Sequence, residues 1–153
     1  PEIQKDKLVL MIPSVSQSGK TKQWSPAKFA KLSRYLEDKG YRICLVGQES
    51  DKETIKTIID SSREVIDLTG KSPPEIIYSV AKKSDLIISN DTGPGHLAAL
   101  SQSPILFLGI DNEVSKSNLS EYKNGYQILT KSMNSLSIKR VIDFLNEKIL
   151  ITK

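Results

Sequence analysis

Short, continuous apolar runs alternate with helix-period segments along the whole chain, and this rhythm restricts the fold more than any other feature. Leu8-Val9-Leu10-Met11-Ile12, Tyr41 to Gly47, Val65-Ile66-Asp67-Leu68, Asp85 to Ser89, Pro104 to Gly109 and Tyr126-Gln127-Ile128-Leu129 read as six strands. Strands that are apolar at successive residues, not at alternate ones, are buried on both faces. The segments between them have helical spacing. Ser25-Pro26 has the chemistry of a helix start, Phe29, Leu32 and Leu36 share one face, and Gly40 closes the helix. Asp51 to Asp60 is a second helix, a third starts at Pro73-Pro74, and a small-residue helix covers Leu97 to Leu100. The last helix carries Ile138, Val141, Ile142, Leu145 and Ile149 on one side. The stretch from Ile110 to Gly125 has no period and reads as a loop with one helical turn. The fold class is therefore α/β: one Rossmann-like domain over residues 1–153, with a parallel sheet of about six strands and helices on both faces.

In such a sheet the ligand sits beyond the carboxyl ends of the strands. The segments to question are therefore Ser14 to Trp24, Gly47 to Asp51, Gly70 to Ser72, Asn90 to His96 and Gly109 to Glu113.

Composition removes several function classes. The 153 residues are 38% hydrophobic, 26% charged and 6% aromatic, with 22 Lys plus Arg against 18 Asp plus Glu, a formal charge of +4. Both signs are scattered, as on a solvated surface, and aromatic residues do not interleave with basic ones, so nucleic acid is not an expected partner. A single cysteine, Cys44, excludes an intrachain disulfide and a cysteine-only zinc site, and suits a reducing, cytoplasmic setting. No Cys/His cluster and no Asp-x-Asp point to a bound metal. No Gly-x-Gly-x-x-Gly follows the first strand, which argues against an ordinary nicotinamide or flavin site; no cofactor is expected. The apolar runs, about six residues at most, are far short of the ~20 a membrane span needs. The polar opening, Pro1 to Lys7, has no leader pattern, and the missing initiator Met leads us to expect a processed or excised chain.

Asn90-Asp91-Thr92-Gly93-Pro94-Gly95-His96 leaves a strand, holds two glycines and opens a helix. Unpaired first-turn amides and the helix dipole favour an anion there, glycine permits close backbone approach, and Thr92 adds a hydroxyl. Asp91 would repel phosphate, so it is expected to accept hydrogen bonds from a backbone amide, hydroxyl or amine. His96, the single histidine, can reach toward a bound anion. The same loop would also serve as a capped strand–helix turn with glycine for tight packing. Ser14 to Trp24 is polar and carries Ser18, Gly19, Lys20 and Lys22, which suits phosphate contact, although the P-loop spacing fails. A solvated loop with Trp24 packed on the domain is the alternative. After the second strand, Glu49 can accept from ribose hydroxyls, or Ser50 and Asp51 can cap the next helix.

Asp91-Thr92-Gly93-Pro94-Gly95-His96-Leu97-Ala98-Ala99, followed by Pro104 to Gly109, resembles the signature of the ADP-heptose:lipopolysaccharide heptosyltransferase family, glycosyltransferase family 9. Ile12-Pro13 with Lys22-Gln23-Trp24-Ser25-Pro26, then Leu45-Val46-Gly47 with Glu49, then Asp67-Leu68-Thr69-Gly70-Lys71, match that family in order. Ser14 departs from a usual Gly, Gly95 from a bulkier residue, and Ile110-Asp111 from Pro/Ser-Thr. The resemblance implies a GT-B enzyme of two facing Rossmann-like domains, of which this chain is the C-terminal, donor-binding one. By the same resemblance Lys22 would contact the donor diphosphate, with Ser18 near phosphate. Glu49 would accept from the ribose, and Lys71 and Ser72 would border the adenine. Thr92 and Gly93 would offer amides to the diphosphate, with Asp91 and His96 beside them. No catalytic residue is expected in this chain, because the family's general base, an Asp, belongs to the N-terminal acceptor domain. The expected partners are a nucleotide-sugar donor such as ADP-heptose, that N-terminal domain and, through it, a lipopolysaccharide core acceptor at the inner membrane. The expected chemistry is inverting, metal-independent transfer, with this chain inactive alone. A stand-alone, non-catalytic nucleotide- or phospho-sugar-binding module is the alternative, and an interaction domain with a merely structural Asp91–His96 loop is a third.

Overall fold

The computed structural model describes residues 7–114, 116 and 122–150; of Gln17, Ser18 and Lys20 it describes the backbone alone. Six strands, β1 (Lys7–Ile12), β2 (Tyr41–Leu45), β3 (Val65–Asp67), β4 (Leu86–Asn90), β5 (Ile105–Ile110) and β6 (Gly125–Thr130), form one sheet in the order β3-β2-β1-β4-β5-β6. Every pairing is parallel. The expected sheet is present, and the strand order reverses between β1 and β4.

The helices divide by face. Helices α1 (Pro26–Asp38), α2 (Lys52–Ser61) and α5 (Ile138–Phe144) cover one side; α3 (Pro74–Lys83) and α4 (Gly93–Ala99) cover the other. Successive strand residues feed opposite cores. Val9 and Met11 join Phe29, Leu32, Leu36, Ile55, Ile58 and Val141, whereas Leu10 and Ile12 join Ile77, Ala81, Ala98 and Phe107. This two-sided burial is what the continuous apolar runs required. Gly40 ends α1 at φ +95°, a backbone conformation that costs glycine little, and its amide donates to the Glu37 carbonyl at 3.0 Å.

Three local features differ from the sequence reading. The long loop after β1 is wound into a 3₁₀ turn over Gln17–Lys22. The small-residue helix begins four residues earlier, at Gly93, because Thr92 is extended and the glycines and Pro94 already lie in the first turn. The last helix widens into a π turn over Leu145–Ile149, where the Leu150 amide donates to the Leu145 carbonyl at 2.6 Å. The expected helical turn after β5 includes a bond from the Lys116 amide to the Asn112 carbonyl, while 115 and 117–121 lie outside the described residues. Among the described residues no helix is long and apolar enough to cross a membrane.

Candidate functional site: a cleft at the strand-order reversal

A cleft of about 800 Å³ opens at the carboxyl edge of the sheet, beside the ends of β1 and β4, where the strand order reverses. Divergence of two neighbouring crossovers to opposite faces leaves such a crevice by construction. Its apolar back is Ile12, Val46, Ile77 and Leu97. Its polar lining comes from the segment after β1 (Ser14, Ser16 and Lys22), the segment after β2 (Gln48, Ser50 and Asp51), Ser72, and Asp91 with Thr92.

The segment after β1 is fixed by buried amide chemistry. Asn90, at the end of β4, donates from Nδ2 to the Pro13 carbonyl at 2.7 Å and accepts from the Trp24 amide at 3.1 Å. Gln23 donates to the same Pro13 carbonyl at 3.1 Å. Trp24 is fully buried, meets Phe29 edge-on and donates from its indole to the Leu136 carbonyl at 2.8 Å. Both ends of the segment are thus clamped, and Lys22 is held at the cleft mouth. Trp24 packs into the domain as one sequence reading required.

Asp91 is the electrostatic centre. Its side chain is 5% exposed, and Oδ1 lies 2.9 Å from His96 Nε2 while Oδ2 lies 4.0 Å from Lys22 Nζ. A buried carboxylate needs such partners. Asp91 accepts a hydrogen bond from Nε2–H, and the other ring nitrogen, Nδ1, meets the Tyr122 hydroxyl at 2.5 Å. Phe107 stacks on the imidazole at 5.1 Å between ring centres, and Tyr122 lies 5.5 Å away. The reading of Asp91 named a backbone amide, hydroxyl or amine as its partner; the structure sets the His96 imidazole against it, with the Lys22 amine 4.0 Å away. His96 engages Asp91 and Tyr122 and does not line the cleft.

Gly95 explains how α4 fits so close. A Cβ there would run into the Ser89 hydroxyl and lie 3.0 Å from the Phe107 ring and 3.1 Å from the Asn90 carbonyl. Such contacts leave no room for a side chain.

The other sequence candidates fall in different places. Thr92 and Gly93 line the cleft, and as residues opening α4 they stand where amides lack partners within a helix. Ser72 lines it too, with its hydroxyl accepting from the Gly47 amide at 3.3 Å and donating to the Gly47 carbonyl at 3.2 Å, which ties the β3–α3 loop to the end of β2. Glu49 and Lys71 are exposed outside the lining; Glu49 pairs with Lys52 at 2.6 Å. The capping alternative is not met as expected: Asp51 makes no side-chain cap bond to α2 and instead accepts from the Gln48 amide at 2.8 Å, closing the 3₁₀ turn Glu49–Asp51 that precedes it. The Ser18 side chain lies outside the described residues. Sequence reasoning did not single out Asn90 or Tyr122. The first is hidden in a strand end, and the second sits in a stretch without periodicity. Among the described residues no three His, Cys, Asp or Glu side chains come together as a metal site would require.

The sequence pattern of glycosyltransferase family 9 (heptosyltransferase) matches residues 2–131. The chain belongs to this family. Lipooligosaccharide heptosyltransferase 2 of Haemophilus ducreyi is 27% identical over 86% of the chain and 45% of the relative's length. Among solved structures, E. coli ADP-heptose lps heptosyltransferase II superimposes with a TM-score of 0.82 at 21% identity, over 95% of this chain and 47% of that one. E. coli heptosyltransferase WaaC with ADP gives a TM-score of 0.80 at 21% identity, over 93% and 44%. These likenesses establish the fold, and this family 9 chain spans about half the length of the relatives it matches.

Proposed function

We propose that this chain is the donor half of a heptose-transferring glycosyltransferase and that its cleft takes the nucleotide diphosphate of a donor such as ADP-heptose. The observation that carries the proposal is the convergence of Lys22, Asp91, Thr92 and Gly93, from two segments almost seventy residues apart, on one cleft at the strand-order reversal. Lys22 supplies positive charge at the mouth, and Thr92 and Gly93 supply polar backbone beside it. Ile12, Val46, Ile77 and Leu97 offer an apolar wall for a flat base, with Ser72 at its edge. Asp91, hydrogen-bonded to His96 and 4.0 Å from the Lys22 ammonium, fixes the loop at the cleft wall. Glu49 and Lys71 reach the ribose and the base from outside the cleft if their exposed side chains swing inward when ligand binds. Ser18 would stand near phosphate.

On this reading the acceptor, a lipopolysaccharide core, and the general base come from an N-terminal domain. The sugar moves by direct displacement at the anomeric carbon without a metal. Charge growing on the departing diphosphate is met by Lys22. Similarity to heptosyltransferases, one named for ADP-heptose and another holding ADP, favours ADP-heptose over other donors. Calorimetric titration of the chain with ADP and with UDP tests the reading. Saturable heat with ADP, and weaker or none with UDP, is expected; heat from neither overturns it.

A further inference from the structure

The wall of the cleft contains a hydroxyl with nothing to bond. Ser14 lines the cleft, is 9% exposed, and its Oγ is buried without a hydrogen-bond partner. Two other buried side-chain atoms among the described residues share that condition, Arg42 Nε and Gln127 Oε1. Arg42 is served through its neighbouring nitrogen by Glu64 at 3.1 Å, and neither residue lines this cleft. Buried polar groups are ordinarily paired, so an orphan hydroxyl in the wall of a crevice points to a partner that enters from the crevice.

The backbone on either side of Ser14 is held in place. Pro13 is held through its carbonyl by Asn90 and Gln23, and Val15 is packed at 9% exposure. The freedom left is rotation about χ1 among staggered wells, a small change for an unbranched hydroxyl. The neighbouring lining residues on the same segment include Lys22, whose ammonium draws an anion into this end of the cleft. An anionic oxygen is also the strongest acceptor a hydroxyl can meet.

We infer that Ser14 is a ligand contact: its hydroxyl turns into the cleft and donates a hydrogen bond to a phosphate oxygen of the bound nucleotide diphosphate. The inference rests on the reading of this cleft as a diphosphate site. It gives the wall a recognising group at the start of the segment after β1, eight residues before Lys22 and apart from the Asp91–His96 loop.

The test pairs affinity with stability. Ser14→Ala should weaken ADP binding about tenfold by calorimetry, while the thermal midpoint of the ligand-free chain stays level or rises because an unpaired buried hydroxyl has been removed. Ser14→Cys keeps the side-chain shape but replaces a strong donor with a weak one, and the same loss is expected. Unchanged ADP affinity in Ser14→Ala overturns the inference. So does wild-type affinity in Ser14→Cys, which would make the effect one of packing, or a lowered midpoint with affinity retained, which would make the hydroxyl structural. Wild-type chain giving no heat with ADP overturns the diphosphate reading itself and this inference with it; wild-type binding with an indifferent Ser14→Ala overturns the inference alone.

Discussion

Asp91 and His96 face each other at 2.9 Å across the first turn of α4, joining the end of β4 to the helix that leaves it. The carboxylate is buried, the imidazole is stacked on Phe107, and the far ring nitrogen meets Tyr122. A loop that would otherwise be free to open beside the cleft is therefore pinned from inside, and the Asp91 oxygen nearest Lys22 is held at the cleft wall.

Tyr122→Phe should release that pin. It removes the hydroxyl that meets His96 Nδ1 but keeps the stacked ring. The expected loss is ~1 kcal/mol, read from urea unfolding. The ¹⁵N shifts of the imidazole should report mainly the Nε2–H tautomer in the wild type and a mixture in the variant. Identical tautomer populations would show that Asp91 alone orients the ring.

Lys22→Ala should weaken ADP binding about tenfold or more, as expected for loss of a charged hydrogen bond. Lys22 is half exposed and its pairing with Asp91 is long, so the unfolding free energy should change by less than ~0.5 kcal/mol. The remaining affinity should depend less on salt than the wild type's. Calorimetry at two ionic strengths checks both points, and unchanged affinity would take Lys22 out of the site.

Gly95→Ala places a methyl against Ser89, Phe107 and the Asn90 carbonyl. Overpacking of this kind costs ~1–3 kcal/mol. Because Asn90 also clamps Pro13 and Trp24, the thermal midpoint should fall and ADP affinity should fall with it. Gly93→Ala, with nothing near its position, should leave the midpoint much closer to wild type.

Cys44 is buried in the sheet, and its thiol is pushed from its ordinary 9.0 up to about 11, by burial first and then by Asp67, with Arg42 opposing. Between these two values the unfolded chain has lost the thiol proton while the folded chain keeps it. Folding stability therefore falls as pH rises from about 9 to about 11, by on the order of 2 kcal/mol. Denaturant midpoints of the wild type should drop more steeply across that window than those of Cys44→Ala. Thiol reagents at neutral pH should label the thiol on unfolding alone.

Much of the architecture was legible in the chain because two-sided burial leaves a direct mark on sequence. All six strands and the helices that cover them follow from runs such as Leu8 to Ile12 and from the spacing of Phe29, Leu32 and Leu36. Lys22, Asp91, Thr92 and Gly93, which line the cleft, could be picked out because strand ends, glycine, hydroxyl and ammonium are local signals, whereas His96 turns to Asp91 and Tyr122 instead. Glu49 illustrates the limit: an acidic residue after β2 has the right chemistry, yet its carboxylate is on Lys52, and Gln48, Ser50 and Asp51 line the cleft. Which of four adjacent polar side chains turns inward depends on how the 3₁₀ turn after β2 meets α2, and no periodicity encodes that.

The sequence by itself determined the layers, the strand edge at which the cleft opens and the family. Hydrophobic period, turn chemistry and a contiguous motif are properties of neighbouring residues. The tertiary structure decided that Tyr122 completes the His96 network, that Asn90 clamps the segment carrying Lys22, and that the Ser14 hydroxyl is left unpaired in the cleft wall. Each of these depends on which atoms meet across distances of tens of residues, and such meetings are settled when the strands take their order in the sheet.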